Sequence, residues 1–107
     1  MIFIETSMFT KLSSNYLSDA QYRELQQFLV ENPNAGDIIK ETGGLRKLRW
    51  ATGTKGKRGG IRIVYYFYSS KDQIYLMTLY AKNEVSDLSS EDKKTLKKIL
   101  EKMLKGH

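Results

Sequence analysis

The sequence contains no cysteine, and its single histidine is the last residue, His107. The first absence excludes disulfides and thiolate metal sites. The second excludes a histidine metal cluster and a triad built on an imidazole base. Long apolar runs are missing as well. No segment approaches the roughly 20 residues needed to cross a bilayer, and no basic stretch followed by an apolar core opens the chain. A soluble, cytoplasmic protein without metal or cofactor is the expectation. With 107 residues, 40% of them hydrophobic and 28% charged, the chain fits a single globular domain, residues 1–107, around one core.

Acidic residues are absent from one segment. From Leu45 to Arg62 there is no carboxylate, and there are seven cations: Arg46, Lys47, Arg49, Lys55, Lys57, Arg58 and Arg62. The remaining chain holds eleven cations against twelve acids, so the net charge of +6 belongs to this segment. Such a concentration points to an anionic partner, most simply a nucleic-acid backbone. A solvated surface loop would carry similar charge, so charge alone does not decide.

The segment includes "ATGTKGKRGG", Ala51 to Gly60. Glycine with lysine suggests phosphate, but a Walker A loop fails here. Counting from Gly53, the required second glycine is Arg58, and no Gly-Lys follows Gly56. The dinucleotide glycine spacing is also absent. The glycines join two β-prone stretches, so the nucleotide-loop context, strand into helix, is missing too.

The rest of the pattern predicts an α+β domain of order β-α-α-β-β-β-α. "MIFIET" reads as a strand. Phe9, Leu12 and Tyr16 recur at helical spacing. Ser18 and Gln21 form a capping box, with Leu17 and Tyr22 placed for a hydrophobic staple. Tyr22, Leu25, Phe28 and Leu29 then share a helix face, and Asn32-Pro33 stops it. "NPNAGDIIKETGG" is expected to be a connector, with Ile38 and Ile39 tucked against the core. "LRKLRWA", "IRIVYYFY" and "IYLMTLYA" follow as strands of a twisted antiparallel meander packed against helices. A last helix starts at the Ser89–Asp92 capping box. Leu96, Ile99, Leu100, Met103 and Leu104 form its apolar stripe.

Strand alternation places Lys47 and Arg49 on one face and Arg46 on the other with Leu48 and Trp50. If the flanking strands pair across the glycine-rich turn, Arg62 joins Lys47 and Arg49 on one surface. Three mutually repelling cations there form a groove suited to phosphate.

"GGLRKLR", "KGKRGGIRIVYYF" and "YAKNEVSDLS", in this order before a C-terminal helix, resemble the HigB branch of the RelE/ParE toxin superfamily. The similarity covers nearly the whole chain and is most specific from Gly43 to Leu88. It implies a small RelE-like domain acting as the toxin of a bacterial type II toxin–antitoxin module. The implied activity is ribosome-dependent cleavage of messenger RNA in the A site. The implied partners are the ribosome with its messenger and a cognate antitoxin of helix-turn-helix kind, with no membrane.

Carried over by motif, Lys47 and Arg49 match the basic pair before the turn, and "GIRIV" supplies Arg62. "AKNE" matches at Lys82 and Glu84, while Asn83 stands where the family has arginine. The family's base-stacking tyrosine falls on Ser89, leaving Tyr80 as the nearest substitute or, equally, a core residue. Arg46, Lys55, Lys57 and Arg58, with Tyr80 and Asn83, are expected to contact RNA. The implied reaction is attack of a ribose 2′-hydroxyl on the adjacent phosphate, giving a 2′,3′-cyclic phosphate. Arg62 would hold the phosphate oxygens. Lys47, Lys82 and Glu84 are rival bases. Two other readings keep the fold: a ParE-like gyrase inhibitor, and a non-catalytic RNA- or antitoxin-binding module. A membrane-surface role for Lys93, Lys94, Lys97, Lys98, Lys102 and Lys105 is weaker, because the apolar stripe lacks aromatics.

Overall fold

A computed structural model describes residues 1–51 and 60–106. The chain runs β1 (Ile2–Glu5), α1 (Ser7–Tyr16), α2 (Asp19–Glu31), β2 (Asp37–Ile38), β3 (Arg46–Trp50), β4 (Ile61–Tyr68), a 3-10 turn (Ser69–Lys71), β5 (Gln73–Ala81) and α3 (Ser90–Lys105). These form one five-stranded sheet in the order β1-β5-β4-β3-β2. The β3-β4-β5 meander is antiparallel, and β1 lies parallel to β5.

The helices start where the sequence says they should. Ser18 and Gln21 satisfy each other's backbone N–H groups at the head of α2, and Ser89 and Asp92 do the same for α3. Thr6 caps α1 by accepting from the Phe9 N–H. Leu17 and Tyr22, the expected staple pair, belong to the same core. The connector differs from expectation. Asp37 and Ile38 pair with Lys47 and Arg46 as a short edge strand, so the order gains a β element. Ile39 is buried as expected, but Ile38 is 54% exposed because its strand lies at the sheet edge.

The sheet separates two apolar layers. On one face Phe9, Leu17, Leu25 and Leu29 of α1 and α2 and the link between them meet Leu48, Ile61, Ile63, Tyr65, Ile74 and Leu76. On the other, Leu96 and Leu100 of α3 meet Leu45, Val64, Tyr75, Met77 and Tyr80. Helices on both faces explain why β4 and β5 read as nearly continuous apolar runs. Burying each large side chain contributes roughly 1.5–3 kcal/mol relative to exposure.

One irregularity matters for the site. Val64 pairs with Thr78 but Tyr65 pairs with Leu76, so Met77 is an extra residue in β5. This bulge shifts the alternation, and Tyr80 turns to the α3 side with Tyr75 and Met77. The Thr6 hydroxyl donates to the Met77 carbonyl at 2.6 Å, which satisfies the bulged backbone.

Tyr65 anchors the α2–β2 connection. Its buried hydroxyl donates to the Pro33 carbonyl at 2.8 Å and accepts the Gly36 N–H at 2.9 Å. Burial raises the phenol pKa, with the Gly36 bond and Arg46 pulling the other way. Tyr65→Phe leaves the Gly36 N–H unmatched in the interior and is expected to cost about 1–3 kcal/mol. Urea denaturation of both proteins measures this. A loss below about 0.5 kcal/mol would mean that the bonds are replaced as soon as they are removed.

Candidate active site

The β3–β4 register puts Arg49 directly opposite Arg62, and the β4–β5 register puts Arg62 opposite Tyr80. These three side chains form a row across the α3 face of the sheet, at cross-strand spacing of about 5 Å. Lys47 lies on the same face two residues before Arg49, in the next row with Val64 and Thr78. Arg49 is exposed, and Lys47 and Arg62 are half-buried. Like charges facing each other across a strand pair repel. The sheet fixes this repulsion in place, and an anion placed on that face would relieve it.

Gly60 sets the start of β4. Its φ is +55°, and a Cβ there would lie 2.5 Å from the Trp50 carbonyl oxygen. Only glycine lets β3 and β4 close this tightly beside Arg49 and Arg62. The Gly60 carbonyl also accepts the Lys82 N–H at 3.2 Å, tying the end of β5 to the same corner.

Residues 82–89, between β5 and α3, hold the other candidates. The Lys82 ammonium donates to the Ser86 carbonyl at 2.7 Å. Glu84 accepts from the Tyr16 hydroxyl at 2.7 Å, which pins it to the end of α1. That hydrogen bond, then burial and the carboxylate charge, raises the Tyr16 pKa. Asn83 is exposed in the turn between them.

The structure adds residues that sequence reasoning gave no role. Asp87 accepts from Lys47 Nζ at 3.0 Å and from the Leu88 N–H at 2.8 Å. The Lys47 and Leu88 hydrogen bonds hold the Asp87 pKa below its ordinary value, with Lys47 and Lys93 adding electrostatic help against slight burial. The carboxylate is therefore ionised throughout the neutral range. Lys93, in the first turns of α3, thus belongs electrostatically with the sheet cations. Tyr16 had no local signal because its partner is 68 residues away. Asp87 had a faint one, as an acid inside the "YAKNEVSDLS" stretch.

Other expected contacts lie elsewhere. Arg46 is on the opposite face, where its guanidinium donates to the Asn34 and Gly36 carbonyls at 3.2 and 2.7 Å. It braces the connector. Tyr80 is 7% exposed and packs in the α3 core, so it offers no open ring for stacking. Burial raises its phenol pKa, Asp87 adds to that, and Arg62 opposes it. Ser89 caps α3. Lys55, Lys57 and Arg58 fall outside the described residues, as does the turn that carries them.

Beside this face a cleft of about 330 Å³ runs between α1, the end of β5 and the start of α3. Met8, Leu12, Tyr16, Tyr80 and Leu88 line much of it. Among the described residues no three acidic or histidine side chains gather as metal ligands, and no helix is long and apolar enough to cross a membrane.

A family profile described as "RelE toxin of RelE / RelB toxin-antitoxin system" matches residues 5–107. The chain belongs to the RelE toxin family. Solved RelE structures share the fold at low identity. The isolated E. coli RelE toxin superposes with a TM-score of 0.54 at 14% identity, over 92% of this chain and 97% of that one. RelE from the intact E. coli RelBE toxin–antitoxin complex gives 0.54 at 14% identity, over 75% and 94%. A double arginine-to-alanine mutant of E. coli RelE in the free state gives 0.53 at 16% identity, over 79% and 86%. At such identity the likeness is one of fold: an α+β domain with three helices and a five-stranded sheet.

Proposed function

We propose that this RelE-family chain, of the HigB type, is the toxin of a two-component module and arrests translation by cutting messenger RNA on the ribosome. The observation that carries the reading is the cationic row: Arg49 opposite Arg62, with Lys47 on the same face. A fixed surface of that charge suits a phosphodiester, and family membership supplies the toxin context.

The chemistry follows from the groups on that face. The 2′-oxygen attacks the neighbouring phosphorus while the bond to the 5′-oxygen breaks, leaving a 2′,3′-cyclic phosphate and a 5′-hydroxyl. Negative charge grows on the non-bridging oxygens, where the Arg62 fork gives two parallel donors. Lys47 and Arg49 flank the same phosphate. Glu84, oriented by Tyr16, takes the 2′ proton. Lys82 lies two residues away in the chain and returns a proton to the leaving 5′-oxygen. Arg46 contributes by bracing the fold, and ribosome affinity falls to the exposed cations of this face. A cognate antitoxin restrains the activity, as RelB is complexed with RelE in the solved RelBE pair.

A purified translation system with a defined messenger tests this directly. Primer extension is expected to map cuts within codons that need ribosomes and leave 2′,3′-cyclic phosphate ends. Intact messenger at saturating protein would overturn the reading and direct attention to a gyrase cleavage assay.

A further inference from the structure

We propose that the Asp87 carboxylate occupies the phosphate seat of the free protein and that an incoming RNA phosphate must displace it from Lys47. The identity of the displacing ligand rests on the RNA-cleaving reading. The seat itself rests on the geometry below.

Lys47 extends from β3, and Asp87 comes from the 82–89 connection 40 residues later, yet Lys47 Nζ and Asp87 Oδ1 stand 3.0 Å apart. The carboxylate lies within electrostatic reach of Lys93 on α3, and it acts on the Tyr80 phenol from which Arg62 also draws. Cations from two separate elements, Lys47 of β3 and Lys93 of α3, thus act on one anion, and that anion belongs to the chain itself. A carboxylate oxygen taking an ammonium and a backbone N–H does what a phosphate oxygen would do in the same place. The pair is open to exchange: the side chains are 32% and 56% exposed, and ion pairs at such positions shift an equilibrium by no more than a few-fold. The same connection carries Lys82 and Glu84. Displacing Asp87 therefore removes one tether of that segment and leaves Glu84 held by Tyr16 and Lys82 by Gly60.

This arrangement has a thermodynamic signature. Phosphate binding gains from release of the counterions condensed on the nucleic acid as protein cations replace them. While Asp87 is paired with Lys47, the face brings one fewer effective cation to the RNA. Asp87→Asn removes that charge, keeps the shape, and keeps an oxygen for the Leu88 N–H. Lys47 then counts in full.

The test is fluorescence anisotropy of a labelled single-stranded RNA oligonucleotide, 2′-O-methylated so that it cannot be cut, titrated with the full chain without ribosomes. Asp87→Asn is expected to tighten binding about three- to fivefold at low salt. It is also expected to steepen the slope of log K against log salt by about 0.7. In a Lys47→Ala background the same change is expected to alter affinity less than about twofold, the residue of a long-range charge effect. The proposal fails if Asp87→Asn leaves affinity and slope unchanged, if it weakens binding, or if its gain persists in full without Lys47. Absence of oligonucleotide binding by both proteins overturns it too. Should the binding changes appear while messenger on ribosomes stays intact, the seat stands and the cleavage reading falls.

Discussion

Arg62→Ala is expected to lower single-turnover cleavage on programmed ribosomes by about 10²–10³-fold, the usual effect of deleting one preorganised donor to a developing oxyanion. The expectation comes from position. Arg62 is the middle member of the row, with Arg49 on one side and Tyr80 on the other, on the strand that joins both halves of the site. Half-burial holds that side chain better than the exposed Arg49. Arg62→Lys restores the charge but not the two parallel donors, and is expected to recover only part of the rate. Parallel urea denaturation separates a lost donor from a lost fold. A rate within threefold of wild type for Arg62→Ala would remove Arg62 from the chemistry and shift the role to Lys47 or Arg49.

The second large effect concerns the fold. Phe9→Ala is expected to destabilise the protein by about 3–5 kcal/mol, combining lost transfer energy with an incompletely collapsed cavity. Phe9 is fully buried, and its ring lies 5.9 Å from that of Tyr22. It therefore joins α1 to α2 while both rest on the sheet. Denaturant midpoints at constant slope give the value. A loss below about 1 kcal/mol would show that the two helices can close over the gap. The same substitution leaves the α3 face untouched, so folded protein at low temperature should still bind RNA.

Local signals carried most of the architecture. Both capping boxes are two-residue patterns with a single physical solution, and both are formed. The stripe of α3 declared its buried side. Alternation in "LRKLRWA" was enough to separate Lys47 and Arg49 from Arg46, and the structure explains the separation by giving Arg46 two carbonyls to hold. What escaped the sequence depends on distant partners. β2 has two residues and exists because β3 lies beside it. The bulge at Met77 shows in no residue preference, yet it decides which way Tyr80 faces. The Lys47–Asp87 and Tyr16–Glu84 contacts span 40 and 68 residues, beyond the reach of any periodicity. Charge and alternation supplied Lys47, Arg49 and Arg62, resemblance added Lys82 and Glu84, and tertiary structure shows how Lys47, Lys82 and Glu84 are tethered.

The placement of β1 bears on how this toxin is made. Ile2 to Glu5, which precede β5 by about 70 residues, pair with Gln73 to Leu76 of β5, which also carries the whole of β4 on its other edge. During synthesis the early helices have no sheet to rest on until β5 emerges. Neither apolar layer can close before then, because each draws residues from that strand. Nor does the Arg62 row have its Tyr80 flank. Folding of both layers is thus deferred until β5 is available, and a nascent chain that lacks it remains an unassembled precursor.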